Sequence, residues 1–244
     1  MVVCLLEGNI GAGKTTLCQE LGYFVEECID DKFLGLFYSD PGRYGFALQM
    51  VMQTERLTTL RVAIDSDSKN AVRVIDRSVI GDWAFAACNR AIGSLSVEEW
   101  LVYQNHAGES PIEALILATS VRKRNVFVVH LEAKPEACLE RAQARGGVDA
   151  NSLSLEYLRT LAAAHLIALA SLHNFVHLIR VPWEEYGEGE SREALLCDMK
   201  DANALCKRGN ADRRSLIEDA QLAIAQVENP AAKEFLRELL QSLV

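Results

Sequence analysis

The sequence has few of the features that mark secreted, membrane-bound or nucleic-acid-binding proteins. Its seven cysteines are scattered without a C-x-x-C pair, which favours reduced thiols over a disulfide framework. No basic and then apolar leader precedes the first apolar run, and no run approaches the length of a bilayer crossing. The formal net charge of -9 disfavours a nucleic-acid polymer as the main partner. We therefore expect a cytoplasmic or nuclear protein that binds neither a membrane nor a nucleic-acid polymer.

A stretch near the N-terminus matches a phosphate-binding pattern. Residues 8–15 read G-N-I-G-A-G-K-T, which is G-x-x-x-x-G-K-[ST] without a mismatch. An apolar run at residues 2–6 suits a buried strand before it, and Leu17 and Leu21 share one face of a helix after it. The glycines allow backbone N–H groups to turn towards phosphate oxygens at the positive end of that helix. The expected ATP-binding residues are Gly8, Asn9, Ile10, Gly11, Ala12, Gly13, Lys14, Thr15 and Thr16.

Strand-like and helix-like segments alternate along the chain. Apolar runs at residues 2–6, 23–25, 72–75, 125–131 and 176–181 predict about five strands, with connections long enough for helices. Such alternation is typical of an α/β fold, with a parallel sheet covered by helices on both faces. Without internal repeats or a low-complexity linker, residues 1–200 are expected to form the main domain. Residues 201–244 are expected to form a helical extension packed on it.

Several blocks then occur in a fixed order. They are residues 8–15, Tyr38 with D-P-x-R-Y-x-F-x-x-Q at residues 40–49, D-R-S at residues 76–78, L-x-A-x-P-E-x-C-L-x-R at residues 131–141, and L-E-Y-L at residues 155–158. Together they resemble the deoxyribonucleoside kinases, the family of deoxycytidine, deoxyguanosine and mitochondrial thymidine kinases and their bacterial and viral relatives. The resemblance ends at about residue 185. It implies a P-loop kinase fold with an arginine-bearing lid, and transfer of the ATP γ-phosphate to the 5′-hydroxyl of a deoxynucleoside.

The resemblance also assigns catalytic roles. Glu26 matches the carboxylate that takes the proton from the 5′-hydroxyl, although Glu27 stands where the family usually has proline. Arg77 matches the arginine that contacts the 5′-oxygen and the transferring phosphate, whose oxygens suit a planar guanidinium. Lys14 reaches the terminal phosphates. The lid arginines are Arg141 and Arg145. Thr15 and Asp76 are the expected Mg²⁺ ligands, so ATP with Mg²⁺ is the expected phosphate donor.

The same resemblance places the nucleoside pocket. Gln49 matches a glutamine whose amide pairs with the base edge, and an amide offers both a donor and an acceptor. Arg56 and Asp82 match a charged pair in members that accept cytosine or purine bases. Tyr38 matches a tyrosine that touches the sugar 3′-hydroxyl. Phe46 and Met52 are candidate pocket walls, although apolar residues at helical spacing are more often core.

The lid departs from the family pattern. Gly147 stands where a third arginine is common, and Asp149 and Ala150 stand where two glutamates often lie. The second of these glutamates reaches the sugar 3′-hydroxyl in the family, and Ala150 lacks that carboxylate. The departure therefore bears on sugar recognition and on the rate of phosphoryl transfer. Dimerisation through helices is typical of the relatives and makes a homodimer the expected assembly.

Three other functions compete with the kinase interpretation. A nucleoside monophosphate kinase shares the sheet, the loop and the lid, but residues 40–49 fit a nucleoside better. A regulatory nucleotide-binding switch usually carries D-x-x-G and N-K-x-D, and the sequence has neither. A catalytically weak relative that acts as a subunit is suggested by the altered lid and by Cys28 beside Glu26. The sequence does not identify the base that is accepted.

Overall fold

The computed structural model describes residues 2–22, 24–25, 31–65, 72–119, 126–147, 152–172, 175–183, 190–208 and 210–244. In chain order its elements are β1 (Val2–Gly8), α1 (Lys14–Leu21), α2 (Asp31–Ser39), α3 (Pro41–Asp65), β2 (Val72–Asp76), α4 (Val79–Ala91), α5 (Val97–Ala107), α6 (Pro111–Thr119), β3 (Val126–Glu132), α7 (Pro135–Arg145), α8 (Leu155–Leu172), β4 (His177–Pro182), α9 (Glu190–Asp198), α10 (Ala202–Lys207), α11 (Arg213–Gln226) and α12 (Pro230–Leu243).

Within the described residues the sheet is parallel and has four strands in the order β2-β1-β3-β4. Of the expected strand at residues 23–25, the described part forms an isolated bridge. Val25 forms a single parallel bridge to Ile75. The Val25 N–H donates to the Val74 carbonyl at 3.0 Å, and the Val25 carbonyl accepts from the Asp76 N–H at 3.0 Å. One bridge is too short to make a fifth strand, so among the described residues, which leave out 23 and 26–30, the predicted count of about five becomes four strands plus this bridge.

Alternate residues of β1 enter two separate cores, because successive side chains of a strand point to opposite faces of a sheet. Val3 and Leu5 belong to the core beneath α3, α4, α8, α11 and α12. Cys4 and Leu6 belong to the core beneath α1, α7 and α9. The α/β fold with helices on both faces is thus confirmed. The side chains of α11 and α12 share the first core with β1.

Local signals set several helix ends. Ser96 and Glu99, three residues apart in the sequence, form a capping box that begins α5. The Ser96 Oγ accepts from the Glu99 N–H at 3.2 Å, and the Glu99 carboxylate accepts from the Ser96 N–H at 2.8 Å. Pro135 lies at the first turn of α7. Residues 40–43, D-P-G-R, have a composition typical of turns, yet they begin α3, because the Asp40 carbonyl accepts from the Tyr44 N–H at 3.0 Å. Sequence patterning had placed neither α2 nor α6.

One helix bears on the expectation that no apolar run approaches the length of a bilayer crossing. Leu155–Leu172 is long and apolar enough to cross a membrane by length and composition, yet 67% of that window is buried inside the protein. Burial between α11 and α4 accounts for its apolar composition, because a helix that is hydrophobic on most sides is typical of a packed interior.

Candidate active site

The phosphate-binding loop lies at the carboxyl end of β1, between β2 and β3. Gly11 and Gly13 have φ values of 76° and 95°, in the left-handed region that favours glycine. A Cβ at Gly11 would also collide with the main-chain carbonyl of Cys138 in α7. The loop therefore needs glycine both for its backbone conformation and for its close contact with α7.

Lys14 is buried and lies inside the loop. Its Nζ donates to the carbonyl oxygens of Gly8 at 3.0 Å and Asn9 at 2.8 Å. Asn9 in turn ties the loop to α8, because its Nδ2 donates to the Leu158 carbonyl at 2.9 Å. A cation surrounded by backbone dipoles at the start of a helix is suited to phosphate oxygens.

The two expected metal ligands are brought together. The Thr15 hydroxyl donates to Asp76 Oδ2 at 2.7 Å. Asp76 Oδ1 is buried and has no hydrogen-bond partner among the described residues. A hydroxyl and a carboxylate with an unpaired oxygen fit Mg²⁺, which prefers oxygen ligands and keeps several positions for phosphate and water. No group of three or more His, Cys, Asp or Glu side chains that could hold a metal ion occurs in the described part of the chain.

A buried carboxylate that the sequence analysis did not single out joins the loop to the Asp-Arg-Ser segment. Glu7 Oε1 accepts from the Ser78 hydroxyl at 2.6 Å, the Ser78 N–H at 2.9 Å and the Gly81 N–H at 3.3 Å. A Cβ at Gly81 would collide with Glu7 Oε2 and lie 3.0 Å from Cγ of Arg77. Burial raises the pKa of Glu7, opposed by the Arg77 charge and the Ser78 hydrogen bonds. In the sequence, Glu7 could have been noticed as a charged residue directly after an apolar run.

Arg77 is held in an unusual backbone conformation. Its φ is 67°, and it is the one non-glycine residue with positive φ among the described residues. Such a conformation costs on the order of 1–3 kcal/mol and persists where its surroundings hold it. Its N–H donates to the Leu6 carbonyl at 3.1 Å, and its side chain is buried with the guanidinium over the Phe85 ring, Cζ to centroid 4.6 Å.

Gln49, Arg56 and Asp82, the predicted base-pocket residues, form one buried network. Arg56 Nη1 donates to Asp82 Oδ1 at 2.6 Å, and Gln49 Nε2 donates to the same oxygen at 2.9 Å. Gln49 Oε1 accepts from Asn89 Nδ2 at 3.3 Å, so both ends of its amide have protein partners. Tyr103 donates to Asp82 Oδ2 at 2.6 Å. Burial raises the pKa of Asp82, and the charge of Arg56 is the main opposing influence.

The sequence analysis missed two aromatic residues, Phe85 and Tyr157, whose surroundings include Arg56 and Arg77. Arg56 also packs over the Phe85 ring, at 5.6 Å from its centroid, so the two arginines contact the same ring. Burial raises the pKa of Tyr157 well above its usual value, and the charges of Arg77 and Arg56 oppose the shift. Tyr157 had been quoted only as part of a motif. Phe85 had no signal beyond its place on α4.

The remaining substrate candidates line α2 and α3. Tyr38 is half-buried and meets the Phe37 ring edge-on, with centroids 5.2 Å apart. Phe46 is half-buried and Met52 is buried. Their contact with a substrate remains a prediction.

The two arginines predicted to form the lid lie on α7, beside the phosphate-binding loop. Arg141 is half-buried, and Arg145 is exposed one helical turn later. Burial raises the pKa of Cys138 to about 11, while Lys14 and Arg141 both lower it, which places both cations near that thiol. Gly146 and Gly147 have φ values of 73° and 106° and end the helix. Asp149 and Ala150 lie outside the described residues, as do Glu26, Glu27 and Cys28.

The parallel sheet, the phosphate-binding loop and the adjoining threonine-aspartate pair define a P-loop phosphotransferase. Residues 4–202 match the family model described as deoxynucleoside kinase, and the chain belongs to that family. It is an enzyme of nucleotide salvage that phosphorylates the 5′-hydroxyl of a deoxynucleoside. This result decides against a monophosphate kinase and a regulatory switch.

Relatives support the same assignment. The chain is 31% identical over 198 residues to a deoxyadenosine kinase of Dictyostelium discoideum, covering 78% of this chain and 76% of the relative. It is 31% identical over 196 residues to a deoxyguanosine kinase of the same organism, covering 76% and 65%. The solved deoxyadenosine kinase from M. mycoides with bound dCTP has a similar fold, with a TM-score of 0.58 and 18% identity, covering 75% of this chain and 90% of the other.

We expect Glu7→Ala to destabilise the fold by about 1–3 kcal/mol, because it leaves the buried Ser78 hydroxyl and N–H groups unpaired. Glu7→Gln should cost less, since an amide oxygen accepts the same bonds. Urea unfolding measures both, with exposed Glu98→Ala as the control. Equal stability of Glu7→Ala and Glu98→Ala would show that this carboxylate does not hold the segment.

Proposed function

We propose that this enzyme transfers the γ-phosphate of Mg²⁺-bound ATP to deoxynucleosides whose base carries an exocyclic amino group. The observation that supports the proposal is the single Phe85 ring shared by Arg77 and Arg56. Arg77 follows the predicted metal ligand Asp76, and Arg56 pairs with the predicted base-recognising Asp82. The phosphate end and the base end of the proposed site are therefore neighbours across one side chain.

The choice of base follows from the chemistry of Asp82. A carboxylate accepts hydrogen bonds, so it suits the amino groups of cytosine, adenine and guanine and not the carbonyl oxygen of thymine at the corresponding edge. The names of the two Dictyostelium relatives, deoxyadenosine and deoxyguanosine kinase, agree with this preference. To bind a base, Gln49 would exchange one of its present partners, Asp82 or Asn89.

In the proposed reaction Glu26 takes the proton from the 5′-hydroxyl. Its neighbour Val25 pairs with Ile75 and accepts from the Asp76 N–H, which brings the backbone before Glu26 beside the Asp76–Arg77 peptide. Lys14 and Arg77 would stabilise the charge on the transferring phosphoryl group. Mg²⁺ held by Thr15 and Asp76 would neutralise the phosphates when bound.

The function as a whole is tested by ADP release with each of the four deoxynucleosides alone. We expect turnover with at least one amino-bearing base and the weakest turnover with thymidine. No turnover with any of them would favour the catalytically weak relative instead. The expected homodimer is a separate prediction, which sedimentation velocity measures directly.

Lys14→Ala should remove nearly all turnover, because the lysine charge offsets negative charge that develops on the phosphates. The fold should persist, since the loop backbone is held by Asn9 and Cys138. Single-turnover kinetics and thermal unfolding without nucleotide measure the two effects. A kcat close to that of the unmodified enzyme would contradict the role of the loop.

Glu26→Gln should lower kcat about 10²–10⁴-fold with little change in nucleoside affinity, because the amide cannot accept the hydroxyl proton. Glu27→Gln is the matched control and should remain active. If Glu27 is the sensitive position instead, the general base is the second carboxylate of the pair.

Arg145→Ala should lower kcat far more than it raises the nucleoside KM, because a lid arginine acts chiefly in the transition state. Gln143→Ala, an exposed change on the same helix, is the control. Steady-state kinetics with saturating ATP distinguish the two parameters. A fully active Arg145→Ala enzyme would show that α7 does not supply a catalytic lid through this residue.

A further inference from the structure

A column of aromatic rings connects the C-terminal helix α12 to Asp82. The Phe235 ring meets Trp100 edge-on, with centroids 6.1 Å apart and an interplanar angle of 87°. Trp100 stacks on Tyr103 with centroids 5.7 Å apart and an angle of 16°. Tyr103 then donates its hydroxyl to Asp82 Oδ2 at 2.6 Å. Three helices, α12, α5 and α4, are thus joined by direct contacts that end on one carboxylate.

The column has little room to move. Trp100 is 6% exposed, and Tyr103 and Asp82 are fully buried. Trp83 packs against Trp100, with ring centroids 5.7 Å apart and an interplanar angle of 67°. Burial raises the pKa of Tyr103 well above its usual value, so its hydroxyl stays protonated and donates. Packed interiors transmit displacements because their side chains interlock.

The first member of the column lies outside the part that matches the family model, which ends at residue 202. Its helix α12 is anchored independently of the column. The Glu156 carboxylate of α8 accepts from the N–H groups of Glu228 and Asn229 at 2.8 Å. Leu236 and Leu240 are buried in the core shared with β1. Phe235 itself has a second contact with α4, because Arg90 packs over its ring at 5.4 Å from the centroid.

We infer that α12 is a positioning element for base recognition, in which Phe235 supports Trp100 and Tyr103, and the Tyr103 hydroxyl orients Asp82. The inference rests on the proposed role of Asp82 in the nucleoside pocket. Residues 230–243 then serve substrate selection without touching the substrate, and Tyr103 and Phe235 are specificity-determining residues that act through Asp82.

The two oxygens of Asp82 explain why one hydroxyl matters. Oδ1 is bonded by Arg56 and Gln49, and Oδ2 is bonded by Tyr103, so the carboxylate plane is set from both sides. Without Tyr103, Oδ2 is left buried without a donor, and the group turns to satisfy both oxygens from Arg56 and Gln49. A base would then meet a misdirected acceptor, whereas ATP would meet an unchanged phosphate loop.

The direct test is Tyr103→Phe, which removes the hydroxyl and keeps the ring stack. We expect the nucleoside Kd, measured by titration calorimetry, to rise about ten-fold, as expected for one lost bond to a buried charge. The nucleoside KM should rise with it, while the ATP KM stays constant. Among the bases accepted, the amino-bearing ones should lose most.

The long-range part is tested by Phe235→Ala, for which we expect a smaller rise of about three-fold in the same Kd. Phe235→Tyr keeps the ring and should restore the original value. Ile224→Ala removes a buried side chain from α11, which packs on α8, and should lower the melting temperature without changing the Kd. The double variant of Tyr103→Phe and Phe235→Ala should match Tyr103→Phe alone, because both act on one carboxylate.

Asp82→Asn separates this inference from the proposed function. If Asp82→Asn weakens nucleoside binding while Tyr103→Phe and Phe235→Ala do not, the column is only structural and the base-recognition role stands. If Asp82→Asn leaves the Kd unchanged, both are wrong. Equal effects of Phe235→Ala and Ile224→Ala on the Kd would also overturn the positioning role, since general loosening would then explain them.

Discussion

The active site depends on the hydrogen bonds that the buried carboxylate of Glu7 accepts. Glu7 stands at the end of β1, one residue before the phosphate-binding loop, and accepts hydrogen bonds from Ser78 and Gly81. The parallel register that pairs Leu6 with Asp76 brings these two segments side by side, and Glu7 fixes their separation. Because Thr15 and Asp76, the proposed metal ligands, lie on opposite sides of this junction, the proposed metal site requires the junction to be held.

The proposed nucleoside-binding end of the site is built differently. Its charged groups are buried and paired with one another. Burying an ion pair costs several kcal/mol per ion unless hydrogen bonds complete it. Asp82 receives such bonds from Arg56, Gln49 and Tyr103, and Phe85 separates this network from Arg77. A pocket of this kind discriminates strongly, because a base that fails to match leaves polar groups unpaired. In the proposed function the altered lid residues would affect the rate of transfer, whereas this network would govern which base enters.

The C-terminal helices α11 and α12 lie beyond residue 202, where the match to the family model ends. They bury Leu216 and Leu236 in the same core as β1, and the loop between them is tied to the start of α8 by Glu156. Arg159 of α8 also pairs with Glu228 of this loop and with Glu136 of α7, at 2.9 and 3.0 Å. The extension therefore contacts α8 directly and is linked to α7 through Arg159, so changes in it are expected to reach the helices around the proposed site.

The sequence by itself determined the phosphate-binding loop, the capped start of α5 and the alternation of strands and helices, because these depend on neighbouring residues and on local backbone geometry. The resemblance carried by short motifs identified the family and brought Thr15, Asp76, Arg56 and Asp82 into consideration. Only the tertiary structure decided the rest. The support from Glu7, the ring shared by two arginines and the aromatic column join residues far apart in the chain. Such contacts depend on strand register and on which helix faces meet, and hydrophobic periodicity specifies only that a face is buried, not which side chain it meets.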